Sequence, residues 1–186
     1  MRTEILPGTL DYDGSQIEPL WAYSKGIPGD SIVLFRGAMD IPDSNIKDME
    51  DLQNNLSIKG GDMLHFIVER FDSPGSIRLA YYMQRLLVVR ARDVLSHHGI
   101  ESIRSGDDIF IGTGKLTVSI ATAGISCEKI HFGINILCNG TPQDVEVACL
   151  KDLGITDFIN LGKEIATAFS AEVDDIESDI VKTKGL

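Results

Sequence analysis

The chain has 186 residues, 43% hydrophobic and 24% charged, with a net charge of −11. This is the profile of one globular domain that buries its own core, and the charge argues against a nucleic-acid backbone or an anionic membrane surface as partner. No apolar run approaches the roughly 18 residues of a membrane span and the N-terminus does not read as a signal peptide, so a cytoplasmic location is expected.

Residues 3–6 suggest a short edge strand stopped by Pro7-Gly8. Ser15 with Glu18 three positions on has the form of a capping box, which predicts a helix through Leu20, Trp21 and Tyr23 to Gly26. The continuous apolar run Ile32-Val33-Leu34-Phe35 predicts a central strand ending at Arg36-Gly37. A polar stretch follows, with a short helix from Asp43 or Ser44 through Met49 and Leu52. Met63 to Val68 predicts another strand. Ser73-Pro74-Gly75-Ser76 opens the clearest helix, in which Leu79, Met83, Leu86, Leu87, Ala91, Val94 and Leu95 recur at helical spacing until Gly99.

After Gly99 the pattern turns to strands. Ile109-Phe110-Ile111, a Gly112-Thr113-Gly114 turn and Leu116 to Ala121 predict a hairpin. Ile130 to Leu137 predicts a further strand, before a turn at Asn139-Gly140. A last helix is expected from about 156, capped by Thr156 or Asp157 and carrying Phe158, Leu161, Ile165, Phe169 and Val173 on one face. The whole, 1–186, reads as a single α+β domain: a mixed, mostly antiparallel sheet with long helices packed on it.

Few residues speak for chemistry on pattern alone. Gly114-Lys115 after a strand resembles a phosphate loop, but Ile109 and Leu116 occupy positions where that loop needs Gly and Ser or Thr. His65 and His131 sit inside apolar strands, and His97 and His98 end a helix; no metal-ligand spacing links them, and no metal site is expected. Cys127, Cys138 and Cys149 are too few and too scattered for a disulfide framework. Cys149, among apolar neighbours, is either inert packing or a reactive thiolate, and reactivity would require an adjacent cation.

The stretch from Leu95 to Phe158 resembles the lipoyl/octanoyl transferases, lipoate-protein ligases and biotin-protein ligases. The resemblance rests on a helix ending in Gly99, the strand Gly114-Lys115-Leu116-Thr117-Val118-Ser119, the strand Ile130-His131-Phe132-Gly133-Ile134-Asn135, and Cys149 ahead of Leu153-Gly154-Ile155-Thr156. Phe35-Arg36-Gly37-Ala38 stands where those enzymes carry a longer Arg- and Gly-rich loop, and Cys149 lacks their flanking Pro and Gly. The chain as a whole looks like an uncharacterised, mainly archaeal family of about this length.

The resemblance implies a fold of the class II synthetase and biotin/lipoate ligase type. It also implies a transferase or ligase that binds a small carboxylic acid or its acyl form near Lys115. Lys115 and Cys149 are the implied catalytic groups. Arg36, Gly37, Lys115, Ser119, His131 and Asn135 are the implied ligand-binding residues, with Lys115 offsetting developing negative charge. The cofactor is left open. A non-catalytic module that keeps the fold for a small ligand, or a structural homodimer subunit, are the alternatives.

Overall fold

The alternation of the strands divides the molecule. A computed structural model describes residues 1–141 and 145–185. Its main sheet has five strands in the order β1 (Arg2–Thr9), β2 (Ser31–Asp40), β3 (Lys59–Arg70), β8 (Glu128–Leu137) and β7 (Thr117–Ala123). β1 runs parallel to β2, and the other pairings are antiparallel. A second small sheet joins β4 (Ile103–Ser105), β5 (Asp108–Ile111) and β6 (Gly114–Lys115).

Successive side chains of a strand point to opposite faces. Ile32 and Leu34 of β2, Leu64, Phe66 and Val68 of β3, and Ile130, Phe132 and Ile134 of β8 all join one core. Two helices cover that face. α3 (Ile77–His97) starts where Ser76 Oγ accepts from Leu79 N–H, and buries Ala80, Met83, Leu87, Ala91 and Leu95. It stops before Gly99, at φ +76°, a conformation that favours glycine. α4 (Phe158–Lys182) is capped by Asp157, whose carboxylate accepts from Asn160 N–H at 3.0 Å. Phe169 and Ile165 are fully buried under it. The fold is thus the expected mixed, antiparallel-dominated α+β arrangement with both long helices in place. No helix among the described residues is long and apolar enough to cross a membrane.

Three expectations change. The first strand does not stop at Pro7-Gly8; it resumes pairing at Thr9 after a register shift, since Pro7 has no N–H for the ladder. Ser15 does not cap a helix: its amide and hydroxyl both bond Asp13 Oδ1, and residues 15–17 form one 3₁₀ turn. The α-helix there, α1 (Trp21–Ser24), is a single turn beginning after Leu20. The Leu116–Ala121 strand of the hairpin is divided at Leu116. Lys115 pairs with Phe110 in the small sheet, and Thr117 starts β7 in the large one.

The sheet face away from the helices carries Phe35, Met39, Met63 and Ile67, with Tyr12 laid across them. Tyr12 N–H donates to Ala38 O and Asp40 N–H to Tyr12 O, which fixes the chain at 10–12 beside β2. Between β2 and β3 the chain makes an excursion over this face, closed at its base by Ile41 N–H to Ile58 O. The excursion holds a 3₁₀ turn at Asp43–Asn45 and α2 (Met49–Gln53), capped by Asp48.

Candidate functional site

The excursion, the open sheet face and the end of the small sheet enclose a cavity of about 410 Å³. Met39, Ile41, Leu56, Val118, Ile120 and Val147 make its walls largely apolar. Asn45 Nδ2 bonds Asp13 O at 2.8 Å and Lys47 pairs with Glu18 at 2.5 Å, so the excursion is tied down over the cavity.

Lys115 borders the cavity. Its backbone is held on two sides: it pairs with Phe110 in the small sheet, and its N–H donates to Glu146 O while Ala148 N–H donates to its carbonyl. The amine lies 2.9 Å from Asp108 Oδ2. Burial pushes the Asp108 carboxyl up, against the downward pull of Lys115. Asp51 of α2 also borders the cavity; burial and then Asp48 raise its pKa, and Lys115 opposes them.

Two imidazoles lie on this side of the sheet, His131 bordering the cavity and His65 buried behind it. Ile67 pairs with His131 across β3 and β8, and His65 sits opposite Gly133, so both histidines face the open side. His65 Nδ1 and His131 Nε2 are 3.0 Å apart, and His65 Nε2 is 3.2 Å from Gly37 O. Tyr12 stacks on His131 with ring centres 3.6 Å apart and planes 10° from parallel. Burial lowers the pKa of His65 to about 4 and that of His131 well below the usual imidazole value. Burial likewise raises the Tyr12 phenol.

The pair makes stability depend on pH. The unfolded chain takes up these two protons near pH 6.5 while the folded one resists, so stability is full above that value. It is lost as pH falls from there towards about 4. Between pH 7 and 5.5 the unfolding free energy should drop by about 1 kcal/mol per imidazole. Urea midpoints measured across that range check this, and a flat profile would refute it. The window stays above pH 5 because Asp51, Asp108 and Glu128, with raised values, oppose the trend below it.

The structure brings Lys115, Ser119, His131 and Asn135 to one cavity, but not in equal roles. Asn135 Nδ2 donates to Lys115 O and Ala148 O, so its amide positions the lysine backbone. Ser119 borders the cavity, but its hydroxyl turns to the helix side, donating to Asp107 Oδ2 and accepting from Gln84 of α3. Arg36 is not brought to the cavity. It shares a face with Ile32 and Leu34, forms a two-bond pair with Asp62 at 2.8 and 2.6 Å, and packs over the Phe158 ring. Gly37 sits beneath the site: its carbonyl faces His65, and its α-carbon lies against Leu10.

Cys149 also falls outside the cavity lining. It is buried and disulfide-bonded to Cys138, so it offers no thiolate in this state. Three cysteines do not make a disulfide framework, but two of them form this single bond, which their spacing does not announce. Asp152 lies beside both sulfurs, but sulfurs joined to each other do not form a ligand pair for an ion. Tyr12 and Asp51 are not among the site residues the sequence suggests, and His65 is there only a histidine inside an apolar strand. The legible signal was a histidine placed at the same parity as Met63 and Ile67 in an otherwise apolar strand.

The sheet with its packed helices has the fold of solved lipoate- and biotin-protein ligases. A putative lipoate protein ligase from Thermoplasma acidophilum with bound lipoic acid superposes with a TM-score of 0.58 at 16% identity, covering 94% of this chain and 86% of that one. The biotin protein ligase from Aquifex aeolicus in complex with biotin and ATP gives 0.62 at 12% identity, covering 95% and 72%. Identities this low speak for the fold. A protein of unknown function from Pyrococcus horikoshii is similar throughout, with a TM-score of 0.94 at 38% identity over 100% of this chain and 98% of that one. An uncharacterized protein of Methanocaldococcus jannaschii is 41% identical over 179 residues, 94% of this chain and 80% of that protein. The family described as Domain of unknown function (DUF366) matches residues 1–184, and the chain belongs to it.

Proposed function

We propose that this protein binds a small carboxylic acid, or its acyl form, with an apolar body, and does so without a covalent intermediate on Cys149. One observation carries the reading: Lys115, its backbone fixed by two strands and a loop, borders a cavity whose other walls are mostly apolar. An ammonium has three donors, and Asp108 takes one of them. Among the described residues no other side chain pairs with the amine, which leaves the others for a carboxylate, and the ligand's carbon chain lies against Val118, Ile120, Met39 and Leu56.

Calorimetric titration with octanoate, lipoate and biotin tests it. At least one should bind, and Lys115→Ala should weaken that binding at least tenfold, about 1.4 kcal/mol. Arg36→Ala should leave it unchanged. Binding of none of the three, or equal binding by Lys115→Ala, refutes the reading.

A second reading is a non-catalytic carrier on the ligase fold. The cavity's other lysines, Lys47 and Lys59, are already paired with Glu18 and Asp40, while Asp48 and Asp51 add negative charge. That lining is poorly matched to the phosphates of an adenylate. Ligand-dependent exchange of pyrophosphate into ATP would decide for the ligase, and its absence with binding intact would decide for the carrier.

A further inference from the structure

The protons on the buried histidine pair are dictated by one backbone carbonyl. Gly37 O can only accept, so at 3.2 Å the proton of His65 is on Nε2. The reversed arrangement would set a lone pair against a carbonyl oxygen. His65 Nδ1 is then an acceptor, and at 3.0 Å it must receive the proton of His131 Nε2. His131 Nδ1 is left with a lone pair. Among the described residues it has no protein hydrogen-bond partner, although the His131 side chain is almost wholly buried and borders the cavity. Neither ring can swing to change this: Tyr12 stacks on His131, and Phe35 lies 5.0 Å from the His65 ring centre. An imidazole so oriented presents a fixed acceptor and no donor.

We infer that His131 is a specificity-determining residue, whose Nδ1 accepts a hydrogen bond from an N–H or O–H group that the cavity's ligand carries far from its carboxyl group. This rests on the carboxylate reading above and adds the ligand class: an ω-hydroxy, amide or urea-bearing acid in place of a plain fatty acid. The place of the donor follows from the strand. Asn135 holds the Lys115 carbonyl, and His131 lies four residues along β8 from Asn135. Four residues of strand separate those backbone positions by roughly 13 Å, so the donor belongs at the end of the ligand remote from its carboxyl group. An acid without the donor would leave a buried acceptor dry, and that is the source of discrimination.

Calorimetry on the intact protein with octanoate, 8-hydroxyoctanoate and biotin tests the inference. The two donor-bearing acids should bind about tenfold more tightly than octanoate. In His131→Phe, which keeps a ring beneath Tyr12, the ratio of donor-bearing acid to octanoate affinity should fall to about one. Binding of octanoate with no preference, or a preference that survives in His131→Phe, overturns the inference and leaves the carboxylate reading standing. Binding of no acid at all removes both. Should His131→Phe fail to fold, nitrogen-15 spectra of the wild-type histidines replace it. His131 should be the Nε2–H tautomer, with an Nδ1 resonance that moves on addition of 8-hydroxyoctanoate and not octanoate; an Nδ1–H tautomer overturns the inference.

Discussion

Gly37→Ala should cost roughly 3 kcal/mol of stability or more and should abolish ligand binding with it. A β-carbon at Gly37 would stand 2.0 Å from Leu10 O and 2.5 Å from the Leu10 carbonyl carbon. These are backbone atoms, so no rotamer change relieves the clash. The chain at 10–12 is also pinned on either side of the contact, by Leu10 N–H to Arg36 O and Tyr12 N–H to Ala38 O, both 2.8 Å. Asp11 Oδ1 accepts from Ala38 N–H as well. Relief must come from lifting this segment off β2. Such a shift carries Tyr12 away from His131 and moves Gly37 O relative to His65 Nε2. Urea unfolding gives the stability loss and calorimetry the binding loss. Gly8→Asn is the control, since nothing lies within 4 Å of that position and Asn tolerates its φ of +77°. A Gly37→Ala variant as stable as wild type would mean that the chain does not cross there.

Gly37 shows why the site was only partly legible in the sequence. The resemblance joins Arg36 and Gly37 in one ligand-binding set, since they stand together where the ligases carry an Arg- and Gly-rich loop. Strand alternation separates them: Arg36 shares the parity of Ile32 and Leu34, and Gly37 that of Phe35. The same alternation is plain in β8, where Lys129, His131, Gly133 and Asn135 interleave with Ile130, Phe132, Ile134 and Ile136. Read as a continuous apolar run, the strand hides that its second face is a row of polar and small residues. The long helices were legible because an amphipathic stripe and its cap are local in sequence. Tyr12, Asp51 and the Cys138–Cys149 bond were not, because tertiary folding alone brings them to their partners. Lys115 is legible only through resemblance; by pattern it belongs to a loop that fails as a phosphate loop.

Lys129→Ala should destabilise the protein by about 3 to 5 kcal/mol, the second large effect expected. Lys129 and Glu69 are directly opposite across β3 and β8, both wholly buried, with Nζ 3.4 Å from Oε2. Burial lowers the Lys129 pKa, and Glu69 opposes it. The Glu69 carboxylate also accepts from Leu20 N–H at 2.5 Å and Ala22 N–H at 3.3 Å, so it holds the turn into α1 against the sheet. Removing the lysine leaves that carboxylate in the interior with no opposing charge. The cost then comes from the survivor, and a second substitution identifies it. Glu69→Gln with Lys129→Met removes both charges and keeps an amide oxygen for the turn, so it should recover most of the loss. Failure of the pair to recover it would place the cost in packing instead. The turn is also a neighbour of the site, since Trp21 of α1 packs on Phe35, with ring centres 5.9 Å apart, and Phe35 on His65. Lys129→Ala should therefore weaken ligand binding as well as stability, although Lys129 lies outside the cavity lining. The double variant should restore both, because the histidine pair depends on where the turn sits and not on the charges that hold it.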